Sequence, residues 1–319
     1  MHHFITGNAG FIGSHLTDAL LKRGDRVSGV DDFFLGRPEH LASARQNPSF
    51  SFYESDISHP ENAIKCLRAA SSWGGAPDIV WHLAANSDIA AGEADASIDF
   101  NRTLQTTFAI LEAAKSEQLK KIAFASTSAV YGELDKLLAE DSGPLLPISN
   151  YGATKLASEG LLSAACESFL DQVWIFRFPN IVGPRATHGA MFDFVARLAS
   201  APRSLKVLGD GTQTKPYLHV SELIDGMQFI VANACERRNV FNLAPNGSGT
   251  TVAFIAEQVI KRISPELPIS YAGGDRGWVG DVPRFRYDTA RLKQLGWQPT
   301  LTSEEAVLRA IEELPLVHA

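Results

Sequence analysis

Short apolar runs and segments of helical period alternate through the first half of the chain. "HFIT" at 3–6 reads as a strand. In the "FIGSHLTDALLKRG" that begins at residue 11, Phe11, Ile12, Leu16, Leu20 and Leu21 share one helical face, and Gly24 stops the helix. "RVSGVDD" reads as a second strand and "SFSFYESDI" as a third, with Phe50 and Phe52 alternating with serines. "PDIVWHLAA" predicts a strand after Pro77, "FNRTLQTTFAILEAAKSEQL" a long helix over 100–119, and "KKIAFAST" another strand. "SNYGATKLASEGLLSAACESF" is helical and "QVWIFRF" extended. Strands alternating with helices require right-handed crossovers, and so an α/β fold: a doubly wound parallel sheet with helices on both faces.

The second half is less regular. Residues 179–216 are rich in Gly, Pro and Arg, and "KPYLHVSELIDGMQFIVANA" returns to strand and helix. From 246 onward the pattern shows one clear helix, "TVAFIAEQVIKRI", and then a loop with five glycines between 273 and 296. The expected division is a Rossmann-type domain of residues 1–178 plus about 217–245. A smaller cap follows, of 179–216 and 246–319.

Composition narrows the partners. The 319 residues carry a net charge of −7, which leaves no basic footprint for nucleic acid. Cys66, Cys166 and Cys235 are far apart and form no CxxC pair, so neither a disulfide framework nor a zinc site is expected. No His/Asp/Glu cluster has metal-ligand spacing, so no metal is expected. The chain enters a strand with no signal peptide and has no stretch of membrane-spanning length, which points to a cytoplasmic protein without a membrane partner.

"GNAGFIG" places Gly7, Gly10 and Gly13 between a strand and an amphipathic helix. Glycines there let the backbone approach a pyrophosphate seated on the helix N-terminus. The second strand ends in Asp31, 18 residues after Gly13, where an acid suits a ribose diol and repels a 2′-phosphate. Asp32 adds to the preference for NAD over NADP, and Arg37 pulls the other way.

The glycine spacing is GxxGxxG, and "TGNAGFIGSHL" resembles the opening of the extended short-chain dehydrogenase/reductase family. "HLAA" at 82–85, "STSAVYG" at 126–132, "YGATK" at 151–155, "RFPNIVGPR", "GDGTQTKPYLHV" and the run from "DRGWVGD" to Trp297 and Pro299 match the same family in the same order. Within it the chain resembles the NAD-dependent epimerase/dehydratase group, in the pattern of its UDP-glucose 4-epimerases. The resemblance implies a Rossmann-type sheet with a C-terminal substrate-binding cap and bound NAD. It adds Phe11, Ile12, Asp56, Ile57, Leu83, Ala84, Ala85 and Phe178 to the residues lining the cofactor site.

Tyr151 and Lys155 sit four apart at a helix start and share one face, so the ammonium could favour the phenolate and lower the Tyr151 pKa. By resemblance Tyr151 is the catalytic acid/base, and Lys155 also holds the nicotinamide ribose. The hydroxyls of Ser126, Thr127 and Ser128 end a buried strand. A turn explains one or two of them, and a site for a substrate hydroxyl explains all three. By resemblance Thr127 is the catalytic hydroxyl and Ser126 is structural, while Ser128 is either a substrate contact or part of a capped turn. Position 129 is Ala, where the family's dehydratases and decarboxylases have Glu, which leaves oxidation and re-reduction.

The resemblance assigns diphosphate contacts to Asn180 and Arg276, and a substrate-side place to Ser87, Ser128 and Lys215. Lys215 stands where many relatives have Arg, and Thr103 where many have Asn. Arg185 and His188 either face ligand or are solvated loop residues. His15, His82 and His219 read as packed structural histidines. The implied activity is NAD-dependent epimerisation of a nucleotide-diphosphate sugar, foremost a UDP-hexose at C4, by a homodimer. The alternatives are a 4-ketoreductase-type oxidoreductase or another sugar-nucleotide epimerase, and beyond these a non-catalytic NAD-binding regulator. The complete Thr127, Tyr151 and Lys155 set argues against the last.

Overall fold

The computed structural model describes residues 1–200, 202–245, 247–274, 276–277 and 282–314. Asp275 and residues 278–281 of the "DRGWVGD" stretch therefore lie outside the described residues. The first six strands are β1 (His2–Thr6), β2 (Arg26–Asp31), β3 (Phe50–Glu54), β4 (Ile79–His82), β5 (Lys121–Thr127) and β6 (Gln172–Phe178). With β7 (Arg238–Asn242) they form one sheet in the order β7-β6-β5-β4-β1-β2-β3, every neighbouring pair parallel. The chain leaves β1 toward β2 and β3, then crosses back to β4 on the other side. That reversal opens a crevice beyond the C-terminal ends of β1 and β4.

Successive side chains on a strand point to opposite faces, and both faces here are covered. Ile5, Ile79, Trp81, Ala123 and Ala125 pack in one cluster, and Phe4, Val80, Ile122 and Phe124 in another. That is why the inner strands read as apolar runs, while the half-exposed edge strand β3 keeps an alternation of Phe and Ser. Truncating the fully buried Trp81 to Ala would cost roughly 3–5 kcal/mol. Helices α1 (Phe11–Lys22), α2 (Pro60–Gly74), α3 (Thr106–Ser116) and α4 (Asn150–Ser168) supply the covering layers. Gly24, at φ +88°, ends α1 by donating its N–H to the Leu21 carbonyl at 3.0 Å.

Two features depart from the sequence reading. The helix expected over 100–119 opens with a π-helical turn, Phe100–Gln105, before α3. Threonine hydroxyls bond back to carbonyls there: Thr106 and Thr107 both donate to the Thr103 carbonyl, at 3.0 and 2.8 Å. After Val252–Ile263 the chain also forms helices at Ala290–Leu295 and Ser303–Glu312. Thr302 and Glu305 close a capping box at the start of the second.

The outer part of the molecule has its own core. Met191, Phe194 and Leu198 pack against Ile255, Ala256, Val259, Val307 and Ile311. The helix Val220–Asn233 instead places Leu223, Ile224, Met227 and Ile230 in the cluster that holds α1, and Leu292 returns to that cluster.

Candidate active site

β1 turns at Gly7, whose φ is +67°. A Cβ there would lie 2.8 Å from the Ala84 nitrogen, and one on Gly13 would lie 2.1 Å from the Gly7 carbonyl oxygen. The turn is thus pressed against the segment after β4, and neither glycine has room for a side chain. Gly10 caps α1 without a side-chain acceptor, so the first N–H groups of α1 are left for an anion.

Asp31 ends β2, buried at the edge of the same turn. The Ala9 N–H donates to its Oδ2 at 2.9 Å and the Phe33 N–H to its Oδ1 at 2.8 Å. Burial holds its carboxyl above the usual range. Asp31 therefore both braces the glycine turn and lines the cavity beside it.

That cavity has a volume of about 750 Å³ and runs along the crevice at the strand ends. Gly7, Gly10, Phe11, Ile12, Gly13, Asp31, Asp32, Asp56 and Ile57 line its β2–β3 side. Leu83, Ala84, Ala85, Ser87, Thr127, Ser128, Tyr151, Lys155 and Phe178 line its β4–β6 side, and Asn180 and Lys215 its outer wall. The structure thus brings the sequence-predicted residues into one cavity, with Arg276 as the exception. Arg276 does not line it and pairs with Glu133 at 2.6 Å.

The hydroxyl run ends β5 at the crevice and splits by direction. Ser126 points away and donates to Glu159 Oε1. Arg177 grips the same carboxylate with two N–H groups, Nε to Oε1 at 3.0 Å and Nη2 to Oε2 at 2.6 Å. Arg177 also donates to the Tyr131 hydroxyl, which in turn donates to Asn242 Oδ1 at 2.7 Å. Thr127 and Ser128 face the cavity, and the Thr127 hydroxyl also accepts the Ala129 N–H at 3.2 Å. Ser126 is structural, as expected from the sequence, and Ala129 brings no carboxylate to this wall.

Ser149 caps α4 by accepting the Gly152 N–H, which sets Tyr151 and Lys155 at the cavity floor. The electrostatics differ from the sequence expectation. Burial pushes the Tyr151 phenol up to about 12, opposed by the Thr127 hydroxyl. Burial also lowers the Lys155 ammonium to about 7, although Asp99 and Glu159 favour its charge. Lys155 Nζ donates to the Ala125 carbonyl at 2.7 Å and lies 5.9 Å from the Tyr151 ring centre. A charge turned aside and itself partly lost does not outweigh desolvation of the phenol, so this geometry keeps Tyr151 in its neutral form and does not lower its pKa toward neutral pH.

His82 is fully buried between the Thr6 and Thr107 hydroxyls, at 2.8 and 3.1 Å, and burial lowers it to about 3. His15 meets the Pro184 carbonyl and His219 the Glu313 carboxylate. These three are packed structural residues. Thr103 holds the loop after β4 by accepting the Asn86 N–H at 3.1 Å. His188 lines the cavity near Ser87, whereas Arg185 pairs with Asp18 at 2.7 Å and does not line it. Arg37 is exposed and does not line it either.

Sequence reasoning missed Asp99 and Arg102. Asn86 Nδ2 donates to Asp99 Oδ1 at 2.8 Å. Arg102 pairs with Asp32 and reaches Asp56 Oδ2 at 3.4 Å. Both belong to helical turns that sequence spacing alone does not aim at a crevice.

The glycine turn with no room for Cβ atoms, the uncapped N-terminus of α1 and the acid at the end of β2 suit a dinucleotide diphosphate and its ribose. A family model described as "NAD dependent epimerase/dehydratase family" matches residues 3–244. The chain is 29% identical over 319 residues to a UDP-glucose 4-epimerase of Mycolicibacterium smegmatis, covering 98% of each. A solved UDP-galactose 4-epimerase is similar at 31% identity and a TM-score of 0.83, with 98% of each chain covered. A UDP-glucuronic acid 4-epimerase from Bacillus cereus, solved with UDP-glucuronic acid and NAD, aligns over 98% of each chain at 26% identity and a TM-score of 0.84.

Proposed function

We infer, from the premise that the chain belongs to the NAD dependent epimerase/dehydratase family, that it is a nucleotide-sugar 4-epimerase, with a UDP-hexose as substrate. The observation that carries this reading is the single cavity shared by the glycine turn, Thr127, Tyr151 and Lys155, with Ala129 where an eliminating enzyme needs a carboxylate. Bound NAD supplies the acceptor, and then the donor, of one hydride at C4. In this reading Tyr151 takes the proton of the C4 hydroxyl as that hydride leaves, and Thr127 hydrogen-bonds the same oxygen. The 4-keto sugar turns over in the cavity, the hydride returns to its other face, and Tyr151 gives the proton back. No atom is gained or lost, so no cofactor is consumed. Lys155 orients the ribose next to Tyr151.

The outer wall, with Asn180, Lys215, Val252 and Phe285 in it, holds the nucleotide diphosphate, and Ser87 faces it from the loop after β4. Arg276 would have to release Glu133 to join them. A homodimer through the 101–117 and 150–168 helices is supported by their exposed faces. Phe108 is 47% exposed, with Phe100 at 52% just before that helix, and Ala153, Ala157, Gly160 and Ala164 form an uncharged stripe on α4. Among the described residues no helix is long and apolar enough to cross a membrane. Free cysteines and a nucleotide-sugar substrate fit the cytoplasm.

The test is incubation of the purified protein with UDP-glucose, UDP-galactose and their N-acetyl forms, with no dinucleotide added, followed by chromatography. Interconversion of one C4 pair supports the reading. A reaction that occurs only with free nicotinamide cofactor, and consumes it, would replace it with an oxidoreductase.

A further inference from the structure

Arg102 stands at the opposite end of the cavity from Thr127 and Tyr151. It belongs to the π-helical turn Phe100–Gln105, the kind of local insertion that often marks a functional position. Its guanidinium bonds the Asp32 carboxylate, comes within 3.4 Å of Asp56 Oδ2 and lies 4.4 Å from the centre of the Phe34 ring. Asp32 and Phe34 are in the loop after β2, Asp56 follows β3, and Arg102 follows β4. One side chain thus joins three chain segments that are distant in sequence, and all four residues line the cavity.

The loop it holds is not at rest by itself. Phe33 has φ +58°, a conformation disfavoured for an aromatic residue. The Phe34 N–H is tied back to Asp32 Oδ1 at 3.1 Å. Glycine is required at Gly36, where a Cβ would lie 2.7 Å from Asp31 Oδ1. The loop is therefore folded against the residue that suits the ribose, with Arg102 fastened across its outer edge.

We propose that Arg102 is a latch on the adenosine end of the cavity: it governs how long the dinucleotide stays bound and takes no part in proton transfer. The proposal rests on the epimerase reading, because an enzyme that returns the hydride to the same sugar is disabled if the reduced dinucleotide escapes. Opening the latch breaks contacts to two carboxylates and an aromatic face. Their side chains are 28% (Arg102), 26% (Asp32) and 38% (Asp56) exposed, so salt screens them. Partly exposed ion pairs with a cation–π contact correspond to about a tenfold change in release rate.

The experiment reads release rather than turnover. Wild-type protein and Arg102→Ala are loaded with NADH and freed of excess, and the loss of bound-NADH fluorescence is followed on dilution at 50 mM and 1 M NaCl. The wild-type rate should rise several-fold with salt. Arg102→Ala should release about tenfold faster at low salt and show little salt dependence, and Arg102→Lys, which keeps the charge without the planar fork, should fall between. Release from Arg102→Ala at the wild-type rate overturns the latch. So does faster release that keeps the full salt dependence, which is what a general loosening would give. If circular dichroism shows Arg102→Ala unfolded, Arg102→Lys carries the same comparison. A protein that epimerises no nucleotide sugar yet shows the predicted release pattern removes the function reading and keeps the latch. A wild-type protein that binds no NADH removes both.

Discussion

Replacing Lys155 by Met should stabilise the dinucleotide-stripped protein near neutral pH while removing its activity. The ammonium's ordinary pKa is 10.5, and burial lowers it to about 7. Between those values the unfolded chain binds a proton that the folded chain does not, so wild-type stability rises with pH across the window and is flat below it. At pH 7 the group opposes folding by about 4 kcal/mol, from about 1.4 kcal/mol per pKa unit, and at pH 9 by about 2 kcal/mol. Met fills similar space without charge, but it leaves the Ala125 carbonyl without its donor at a cost of about 1–3 kcal/mol. The net gain is about 2 kcal/mol at pH 7 and close to nothing at pH 9. For a chain of 319 residues, 2 kcal/mol raises Tm by about 3 °C. Calorimetric scans of both proteins at pH 6, 7, 8 and 9 give the comparison. A Tm difference that stays constant across that range, or a variant less stable than wild type at pH 7, would refute a buried, partly neutral Lys155.

Tyr151→Phe should lower turnover by about 10²–10⁴-fold or more while leaving dinucleotide affinity near wild type, measured by titration with NADH; unchanged turnover would remove Tyr151 from the mechanism. Arg177→Leu should lower Tm by about 5–7 °C, because Glu159 is left buried without its guanidinium at a cost of roughly 3–5 kcal/mol; a drop under 1 °C would show that the pair contributes little. Gly13→Ala should abolish dinucleotide binding, since its Cβ would sit 2.1 Å from the Gly7 oxygen, and normal NADH affinity in that variant would contradict the packing described.

The inner strands β1, β4, β5 and β6 were legible because they are buried on both faces, so Val, Ile, Phe and Trp run together and stand out between helical periods, whereas the half-exposed edge strand β3 alternates Phe with Ser. The dinucleotide end of the site was legible for a related reason: close backbone approach tolerates only glycine, and that constraint appears as spacing. The π turn was not legible, because it depends on where Thr103, Thr106 and Thr107 send their hydroxyls rather than on the period of apolar residues. The helix Ser303–Glu312 carries a readable signal in the Thr302–Glu305 capping box and in Ala306, Val307, Ala310 and Ile311, a buried face short enough to be passed over. Asp99 and Arg102 escaped for a third reason. Their neighbours come from segments far apart in sequence, and the Asp99 and Arg102 contacts exist only after the crossovers are made.

The same long-range packing accounts for the one electrostatic expectation that failed. A Tyr and a Lys four residues apart imply mutual stabilisation of charge when they are considered on an isolated helix. In the folded chain both sit on the floor of a crevice where the first cost is desolvation, and they move toward their neutral forms, as do several groups in and behind its walls, while Asp56 at the far rim moves the other way. Tyr151 rises to about 12, Lys155 falls to about 7, His82 falls to about 3, and the carboxyls of Asp31 and Asp99 are raised by burial. A neutral floor holds no proton-abstracting charge while the cavity is open to water. Excluding water alone would raise the phenol further, so ionisation of Tyr151 must then follow from the positive charge and hydrogen-bond donors that the bound molecules bring to it. This ties proton transfer to occupancy of the whole site and explains why the glycine turn, the acid of β2 and the hydroxyls of β5 have to share one cavity.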